Sequence, residues 1–268
     1  MISAAPVSRG DLWCAVLFAE AQRTVAGTPP SVRVIDGAFG GAAWRAIGVV
    51  PDARGRFARA RGGELGLDEA LAVADAVRGA PAGHAVIAIV DVPGQAFGRR
   101  EEAAGLHVAL AAAVEAYVEE RRAGRPVFAL AVGKAISGAF LAHGLQAGWI
   151  GALRDPDVEV HVMSAQSVAR VTRSSAEDLA RIAGVVPATA RDIATFAAFG
   201  AVDALFEVAD ASRPSVEEVD AVRTALVAAR DAGLGVRAPR ARRDAPRAQQ
   251  TRACARDVRA RIAAEWDR

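Results

Sequence analysis

The chain has 268 residues, of which 52% are hydrophobic and 24% charged, with a formal net charge of +2 at pH 7. This length accommodates one large domain or two small ones, and the hydrophobic fraction is ample for a buried core. Aromatic residues make up only 5% of the chain, which argues against a stacking surface for single-stranded nucleic acid.

Neither a secretory signal nor a membrane span is predicted. The sequence does not open on a charged start with an apolar run and a cleavage site, and it has no run of about 18 or more apolar residues. The two cysteines, Cys14 and Cys254, lie at opposite ends of the chain without the spacing of metal ligands. We expect a cytoplasmic protein that binds no membrane, nucleic acid or metal.

The first half of the chain alternates predicted helices with apolar strands. Residues 10–26 have the period of an amphipathic helix, and the short strands Val32–Ile35 and Trp44–Val50 follow around a glycine-rich turn. A helix is predicted over Leu67–Val77. The continuous apolar run Ala85–Val92 is typical of a strand buried on both faces of a parallel sheet.

The second half begins with the clearest helix, Gly105–Arg122, and a second buried strand, Pro126–Val132. The later segments are strands at Trp149–Leu153, Val158–Val162 and Val202–Val208, and helices at Ala176–Ala183, Thr189–Phe199, Val216–Asp231 and Thr251–Trp266. This alternation predicts an α/β fold with a largely parallel sheet. Short strands before each longer helix favour a spiral of ββα units with a helical C-terminal region.

The charge distribution divides the chain in two. Residues 236–268 carry ten arginines and four acidic residues, a local charge of about +6, which leaves about −4 for the remainder. We predict one α/β domain over residues 1–235 and a basic linker with a C-terminal helix over residues 236–268. This tail could contact an acidic partner or phosphates, although a solvated helix in an arginine-rich chain has the same composition.

Two glycine-containing loops are predicted to follow the two buried strands, where α/β proteins tend to bind ligands. The first loop, residues 91–98, reads DVPGQAFG, and its proline and glycines favour a tight turn. Asp91 is interpreted as a cap of this turn. An ordinary strand-to-helix connection has the same pattern, so the first loop alone assigns no function.

The second loop, residues 133–144, reads GKAISGAFLAHG. Gly133 and Gly138 allow a ligand to approach the backbone closely. The residues after Gly138 favour a helix, so the amides of Gly138 and Ala139 are predicted to point out of its start. Two such amides can hold a developing oxyanion. A glycine-bearing helix start packed on its neighbour has the same local pattern.

The two loops, their spacing of about 40 residues and the apolar strands before them resemble carboxyltransferases of the crotonase superfamily. The closer similarity is to gamma subunits of biotin-independent malonate decarboxylase. The segments that carry it are DVPGQAFGRREEAAGLHVALAAAVEAY, GKAISGAFLAHGLQAGWIGAL and residues 158–171. The similarity extends over roughly residues 85–200 and implies a crotonase-like fold.

The resemblance implies a carboxy-lyase subunit that decarboxylates malonyl-[acyl-carrier protein] to its acetyl form. A beta subunit would share the active site, and an acyl-carrier protein would present the substrate on a coenzyme-A-like arm. This chain would hold no cofactor tightly. The amides of Gly138 and Ala139 would stabilise the oxyanion. The substrate contacts would come from Gly94, Gln95, Lys134 and Ser137.

Three positions depart from the family pattern. Gly94 stands where the family often has serine, Phe97 where tyrosine is usual, and Ser164-Ala165-Gln166 where Gly-Lys is more common. No hydroxyl can therefore be assigned to the first loop, whereas the two amides are unaffected. Lys134 is the only lysine of the chain; it could orient the loop or meet an anionic group, and an ammonium without a role is an equal alternative.

Three alternatives remain open from the sequence. Gly133–Ser137 also resembles the nucleophile segment of Clp-type serine peptidases, and Ser137, His161 and Asp210 follow in an order that could form a triad. A biotin-linked carboxyltransferase subunit would use the same two loops. A scaffold that binds an acyl-carrier partner through its basic tail would need no catalysis.

Overall fold

The computed structural model describes residues 8–18, 22–163, 165–239, 241 and 252–266. Within these residues the helices are α1 Arg9–Val16, α2 Leu67–Arg78, α3 Arg99–Ala103, α4 Leu106–Arg122, α5 Ser137–Ala142, α6 Ala165–Thr172, α7 Ala176–Val185, α8 Ile193–Ala198, α9 Val216–Asp231 and α10 Ala253–Trp266. The strands are β1 Arg23–Thr24, β2 Val32–Phe39, β3 Ala42–Val49, β4 Ala85–Val92, β5 Val127–Ile136, β6 Trp149–Arg154, β7 Val160–His161 and β8 Ala204–Glu207.

One mixed sheet organises the described chain. Its strand order is β1-β2-β3-β4-β5-β6-β8, and the short β7 pairs with the carboxyl end of β5. The β1–β2 and β2–β3 pairs are antiparallel, whereas every pair from β3 onwards is parallel. Strands β4 and β5 lie in the centre and are almost entirely buried, as expected for parallel strands covered on both faces.

Helices α2 and α4 pack against each other beside the sheet through small side chains. Helix α2 buries Ala70 and Ala74, and α4 buries Ala109, Ala113 and Ala116. The alanine side chain is small and has no rotamers to lose on burial. Two helices that meet through alanines can therefore pack closely with little loss of side-chain entropy. The alanine-rich composition is thus used in helix packing next to the central strands.

Several predicted elements are confirmed with little change. The strand Ala85–Val92 and the helix Val216–Asp231 have the predicted bounds, and the predicted helix Gly105–Arg122 begins one residue later, at Leu106. These are the segments in which one periodicity continues without interruption. The last helix, predicted over Thr251–Trp266, is described from Ala253 to Trp266.

The predicted helix over residues 10–26 is wrong in its second half. Helix α1 ends at Val16, and Arg23–Thr24 instead forms strand β1, paired with Ile35 and Asp36 of β2. Residues 19–21 lie outside the described chain. Backbone pairing with a neighbouring strand overrode the local helical period.

The predicted turn over residues 37–41 is shorter than expected. Strand β2 continues to Phe39, and the turn consists of Gly40 and Gly41, with φ angles of 56° and 70°. Two central residues with positive φ are typical of the tight hairpin turn that matches the twist of antiparallel strands. Helices α3 and α6 were not predicted. Of the basic linker predicted from residue 236, residues 240 and 242–251 lie outside the described residues.

Strand β5 extends four residues beyond the predicted Val132, through Gly133 and Lys134 to Ile136. Its added end pairs with Val92 of β4 and with Val160 and His161 of β7. Because both neighbours supply backbone partners, the glycine does not end the strand. The second predicted loop is therefore a strand that passes directly into a helix.

Within the described residues, no helix is long and apolar enough to cross a membrane.

Candidate active site

The junction between β5 and α5 occupies the centre of the candidate site. Ser137 links the strand to the helix with a φ of 60°, one of two non-glycine residues with positive φ in the described chain. A left-handed conformation at a non-glycine residue costs conformational energy and is concentrated at functional positions. The abrupt turn aligns the first amides of α5 with the end of the sheet.

The amide of Gly138 has a specific acceptor, the side chain of Gln95. The Gly138 N–H donates to Gln95 Oε1 at 3.0 Å, across 43 residues of sequence. Gln95 lies in the first predicted loop, which is held by Leu65: Leu65 N–H donates to the Gly94 carbonyl, and Ala96 N–H to the Leu65 carbonyl, both at 3.0 Å. The structure therefore brings Gln95 and Gly138 together.

Ala139 is fully buried and lies in the first turn of α5. The first amides of an α-helix have no partner within the helix, so the orientation of the Ala139 N–H is set by the same turn as that of Gly138. Both predicted residues therefore lie in the first turn of α5, and the joint role of their amides stays a prediction.

Two cavities meet at this turn. The first, of about 350 Å³, is largely apolar and is lined by residues that include Ser137, Gly138, His161 and Phe196. The second, of about 470 Å³, is lined by residues that include Gly94, Gln95, Phe97, Ser137 and Met163. Because Ser137 lines both, a ligand that reaches the Gly138 amide can extend to either side. An apolar cavity with a few polar groups is the usual form of a small-molecule site.

Lys134 lines neither of these cavities. Its Nζ donates to Glu159 Oε1 at 2.8 Å, and Glu159 also lies 3.6 Å from an Arg191 guanidinium nitrogen. The side chain of Lys134 is 36% exposed. The ammonium therefore completes a half-buried ion-pair cluster. Glu159 and Arg191 were not selected from the sequence, since neither belongs to a motif around its own position.

Asp91 links three segments, and its described contacts are not those of the cap predicted for its own turn. Its Oδ2 accepts the Gly10 N–H at 3.2 Å, and its Oδ1 accepts the Lys134 N–H at 3.1 Å. A Cβ at Gly133 would lie 2.0 Å from Asp91 Oδ1, so only glycine allows the carboxylate this close to β5. Gly133 was predicted to let a ligand approach the backbone closely, and in the structure the group that its missing side chain admits is the Asp91 carboxylate.

The proposed serine-peptidase triad is not assembled. Asp210 pairs with Arg213 and accepts the Ser212 N–H, both next to it in the chain. The described polar contacts of His161 are made by its Nδ1 to the backbone of Met163. Sequence order suggested three partners, but the described polar contacts of Asp210 and His161 are each made with residues next to them in the chain.

A buried histidine supports α5 from behind. Tyr117 of α4 hydrogen-bonds His143 Nδ1 at 2.9 Å, and His143 Nε2 donates to the Ile89 carbonyl of β4 at 3.2 Å. These two contacts require Nδ1 to accept and Nε2 to carry the hydrogen. His143 is fully buried, and this burial lowers its pKa to about 4. The residue that ends α5 is thereby fixed to a helix and a central strand.

The described residues contain no group of three His, Cys, Asp or Glu side chains able to hold a metal ion. Ser164 of the divergent Ser164-Ala165-Gln166 segment lies outside the described residues, and Gln166 lines a third cavity formed by α6 and α7.

The fold is that of the crotonase-like carboxyltransferases. It is similar to transcarboxylase 12S, with a TM-score of 0.60 and 20% identity over 79% of this chain and 37% of that chain. This neighbour supports the fold only. The predicted crotonase-like class with helices at the C-terminus is confirmed.

A family model described as malonate decarboxylase gamma subunit matches residues 60–266, and the chain belongs to this family. A Pseudomonas malonate decarboxylase hetero-tetramer in complex with coenzyme A contains a chain that is 42% identical. The TM-score is 0.81 over 95% of this chain and 99% of that chain. The family is one of carboxy-lyase subunits, so the chain is an enzyme subunit as predicted. The peptidase and biotin-linked alternatives are not favoured.

A curated relative, the malonyl-S-ACP:biotin-protein carboxyltransferase MADD of Malonomonas rubra, is 35% identical over 140 residues. The alignment covers 52% of this chain and 48% of the relative, so the chain spans about half the length of this protein.

Proposed function

We propose that this chain forms one half of an active site that decarboxylates malonyl carried on an acyl-carrier protein, yielding the acetyl form, with a beta subunit as the other half. The observation that carries this proposal is the hydrogen bond from the Gly138 N–H to Gln95 Oε1, because Gly138 lines one of the two cavities that meet at Ser137 and Gln95 lines the other. Membership of the gamma-subunit family supports the reaction class.

The chemistry requires little more than fixed hydrogen-bond donors. When the bond from the α-carbon to the carboxylate breaks, its electron pair enters an enolate and the thioester oxygen gains negative charge as CO₂ leaves. Backbone amides suit this task because they neither titrate nor reorganise during the reaction. In the proposal Gly138 and Ala139 donate to that oxygen.

Gln95 Oε1 marks the position that the thioester oxygen would take, since it accepts the same N–H. The substrate oxygen would displace this side chain, and the Gln95 amide group would then contact the thioester or the malonyl carboxylate. Gly94 and Ser137 line the same cavity and are the other proposed substrate contacts of this chain. Lys134 is proposed to contribute less to substrate binding, because its ammonium donates a hydrogen bond to Glu159.

A beta subunit as partner is supported by the similar Pseudomonas chain, which is part of a hetero-tetramer. Near the cavity of Gln95 this chain exposes apolar side chains, with Phe97 63% and Val162 73% exposed. Apolar groups at the rim of a site fit a second subunit that covers it. The complex of that relative with coenzyme A supports a coenzyme-A-like arm on the acyl-carrier partner as the carrier of the substrate.

The proposal is tested in the complex of this chain with its beta and acyl-carrier subunits. Gly138→Pro removes the amide hydrogen, whereas Gly138→Ala keeps it and adds a Cβ about 3.3 Å from Gln95 Oε1, a contact that the flexible side chain can relieve. Proline is tolerated in the first turn of a helix. We expect CO₂ release to fall about 100-fold in Gly138→Pro and less than about 5-fold in Gly138→Ala, since one oxyanion donor is typically worth that much.

Equal activity of the two variants would contradict an amide oxyanion hole at Gly138. Absence of CO₂ release from the unchanged complex would contradict the decarboxylase function. Thermal unfolding of both variants, alone and with the beta subunit, separates loss of the donor from loss of the fold.

A further inference from the structure

His161 and Gly138 both line the apolar cavity of about 350 Å³, and His161 also borders the cavity formed by α6 and α7. His161 belongs to β7 and pairs with Ile136, the last residue of β5 before the turn at Ser137. Backbone pairing thus fixes the histidine beside the start of α5. The side chain is half-buried, and the proposed reaction has so far given it no role.

Contacts at one edge of the ring determine where its hydrogen lies. Met163 N–H donates to His161 Nδ1 at 3.2 Å. The Met163 carbonyl also lies 3.1 Å from Nδ1, but it already accepts an Arg191 N–H at 2.7 Å. A hydrogen on Nδ1 would leave the Met163 amide without its acceptor. The arrangement that satisfies both backbone groups has Nδ1 as acceptor and the hydrogen on Nε2.

The surroundings keep this ring neutral. Burial lowers the pKa of His161 and the positive charge of Arg191 lowers it further, which outweighs the opposing effects of the contact with the Met163 backbone and of the Glu159 charge. Glu159 is itself paired with Lys134 and lies near Arg191. Near neutral pH the group is therefore an uncharged imidazole with one N–H.

No hydrogen-bond partner for Nε2 occurs in the described part of the chain, whereas Nδ1 is anchored to the backbone. The ring is therefore held at Nδ1, and its Nε2–H is left to donate to a ligand. The cavity that His161 lines is largely apolar. A hydrogen bond from Nε2 to a ligand would be strongest where water is excluded and the acceptor develops negative charge.

We propose that His161 is a catalytic residue whose Nε2–H donates a hydrogen bond to the enolate oxygen that forms as CO₂ leaves the malonyl thioester. This inference rests on the proposed decarboxylase function and adds a side-chain donor to the amides of Gly138 and Ala139. His161 keeps its proton during the step, so the electron pair of the broken bond remains on the enolate. Protonation of the α-carbon is a separate event.

A neutral donor is well suited to this step. The thioester oxygen of the substrate is a weak acceptor, and the enolate oxygen is a strong one, so the hydrogen bond strengthens towards the transition state. Interactions that strengthen in this way raise kcat more than they lower KM. An imidazolium at the same position would also attract the malonyl carboxylate and stabilise the ground state.

The test compares His161→Ala with His161→Gln in the complex with the beta and acyl-carrier subunits. The Gln side-chain amide can place an N–H near the position of Nε2, whereas Ala removes the donor. We expect kcat to fall about 100-fold in His161→Ala with KM within about 3-fold, and His161→Gln to recover at least about 10-fold of that loss. His107→Ala, an exposed position on α4, is the matched control and should retain full activity.

A second measurement does not depend on activity. The ¹⁵N chemical shifts of the ring in the unchanged complex should show the hydrogen on Nε2 at neutral pH, and the Nδ1–H form would overturn the proposal. Wild-type kcat in His161→Ala would also overturn it, as would equal loss in the Ala and Gln variants. If the unchanged complex releases no CO₂, the decarboxylase function itself fails, and the role of His161 with it.

Discussion

At the scale of single residues, the main feature of the site is the shared use of one amide. Gln95 Oε1 accepts the Gly138 N–H at 3.0 Å in the same way as a substrate oxygen would. In the proposed site this acceptor keeps the Gly138 N–H hydrogen-bonded when no substrate is present. The displacement of Gln95 therefore exchanges one hydrogen bond for another.

Gln95→Glu should impair the reaction without altering the shape of the site. The carboxylate can accept the same Gly138 N–H, but its charge repels both the malonyl carboxylate and the developing oxyanion. We expect kcat/KM for CO₂ release to fall at least about 10-fold, equivalent to about 1.4 kcal/mol.

The control is Gln146→Glu, which makes the same chemical change outside both cavities, where the Gln146 side chain donates to the Leu141 carbonyl. Equal activity of the two variants would show that Gln95 does not face the substrate.

At the scale of elements, the strand β5 and the short helix α5 form one unit with Ser137 as its corner. Helix α5 has six residues, which is too short for a helix to be stable alone in water. Its position depends on tertiary contacts, of which the buried hydrogen bonds of His143 to Tyr117 and Ile89 are the most specific. The amides of the site are therefore supported through α4 and β4.

The buried His143 should make stability depend on pH. Its folded-state pKa of about 4 lies below the ordinary value of 6.5, so below pH 6.5 the unfolded chain binds a proton that the folded chain does not. The free energy of unfolding should fall with decreasing pH by at most about 1.4 kcal/mol per unit in the window from about 6.5 to 4. Chemical denaturation at pH 7 and pH 5 measures this slope.

His143→Gln provides the comparison, because its side chain can still donate and accept hydrogen bonds but does not titrate in this window. We expect a smaller difference in unfolding free energy between pH 7 and pH 5 in this variant than in the wild type. The same difference in both proteins would assign the pH dependence to other groups, such as His161.

At the scale of the whole molecule, the helix α10 stands apart from the core. None of its residues is buried, and Val258, Ile262 and Trp266 are between 55% and 85% exposed on successive turns. The family match extends to residue 266, so α10 lies within the matched length of the chain. The proposed division of the chain at residue 236 stays a prediction.

A chain truncated after Arg252, without α10, should fold like the full chain. Because no described side chain of α10 is buried, we expect the unfolding free energy to change by less than about 1 kcal/mol, which corresponds to a shift in Tm of less than about 4 °C for a chain of this size. Thermal unfolding of the isolated subunit measures this shift. A much larger decrease would show that α10 contributes to the core, and a loss of activity at unchanged Tm would indicate a lost contact with another subunit.

The sequence by itself determined the central strands, the long helices and the two segments that flank the site, although the second of these is a strand and a helix where a loop was predicted. The run Ala85–Val92 and the helix Val216–Asp231 each have a single uninterrupted pattern, and both appear with the predicted bounds. Gly138 could be selected because a glycine followed by helix-forming residues predicts exposed amides at a helix start. The family resemblance rested on the same segments.

Only the tertiary structure decided which groups meet in the site. The contact of Gln95 with Gly138 spans 43 residues and that of Lys134 with Glu159 spans 25, and no local pattern specifies such pairs. The same holds for the pairing of His161 with Ile136, which places the histidine beside the start of α5. Local periodicity reports which face of an element is buried, whereas side-chain partners depend on how the strands align across the sheet, which is a property of the whole fold.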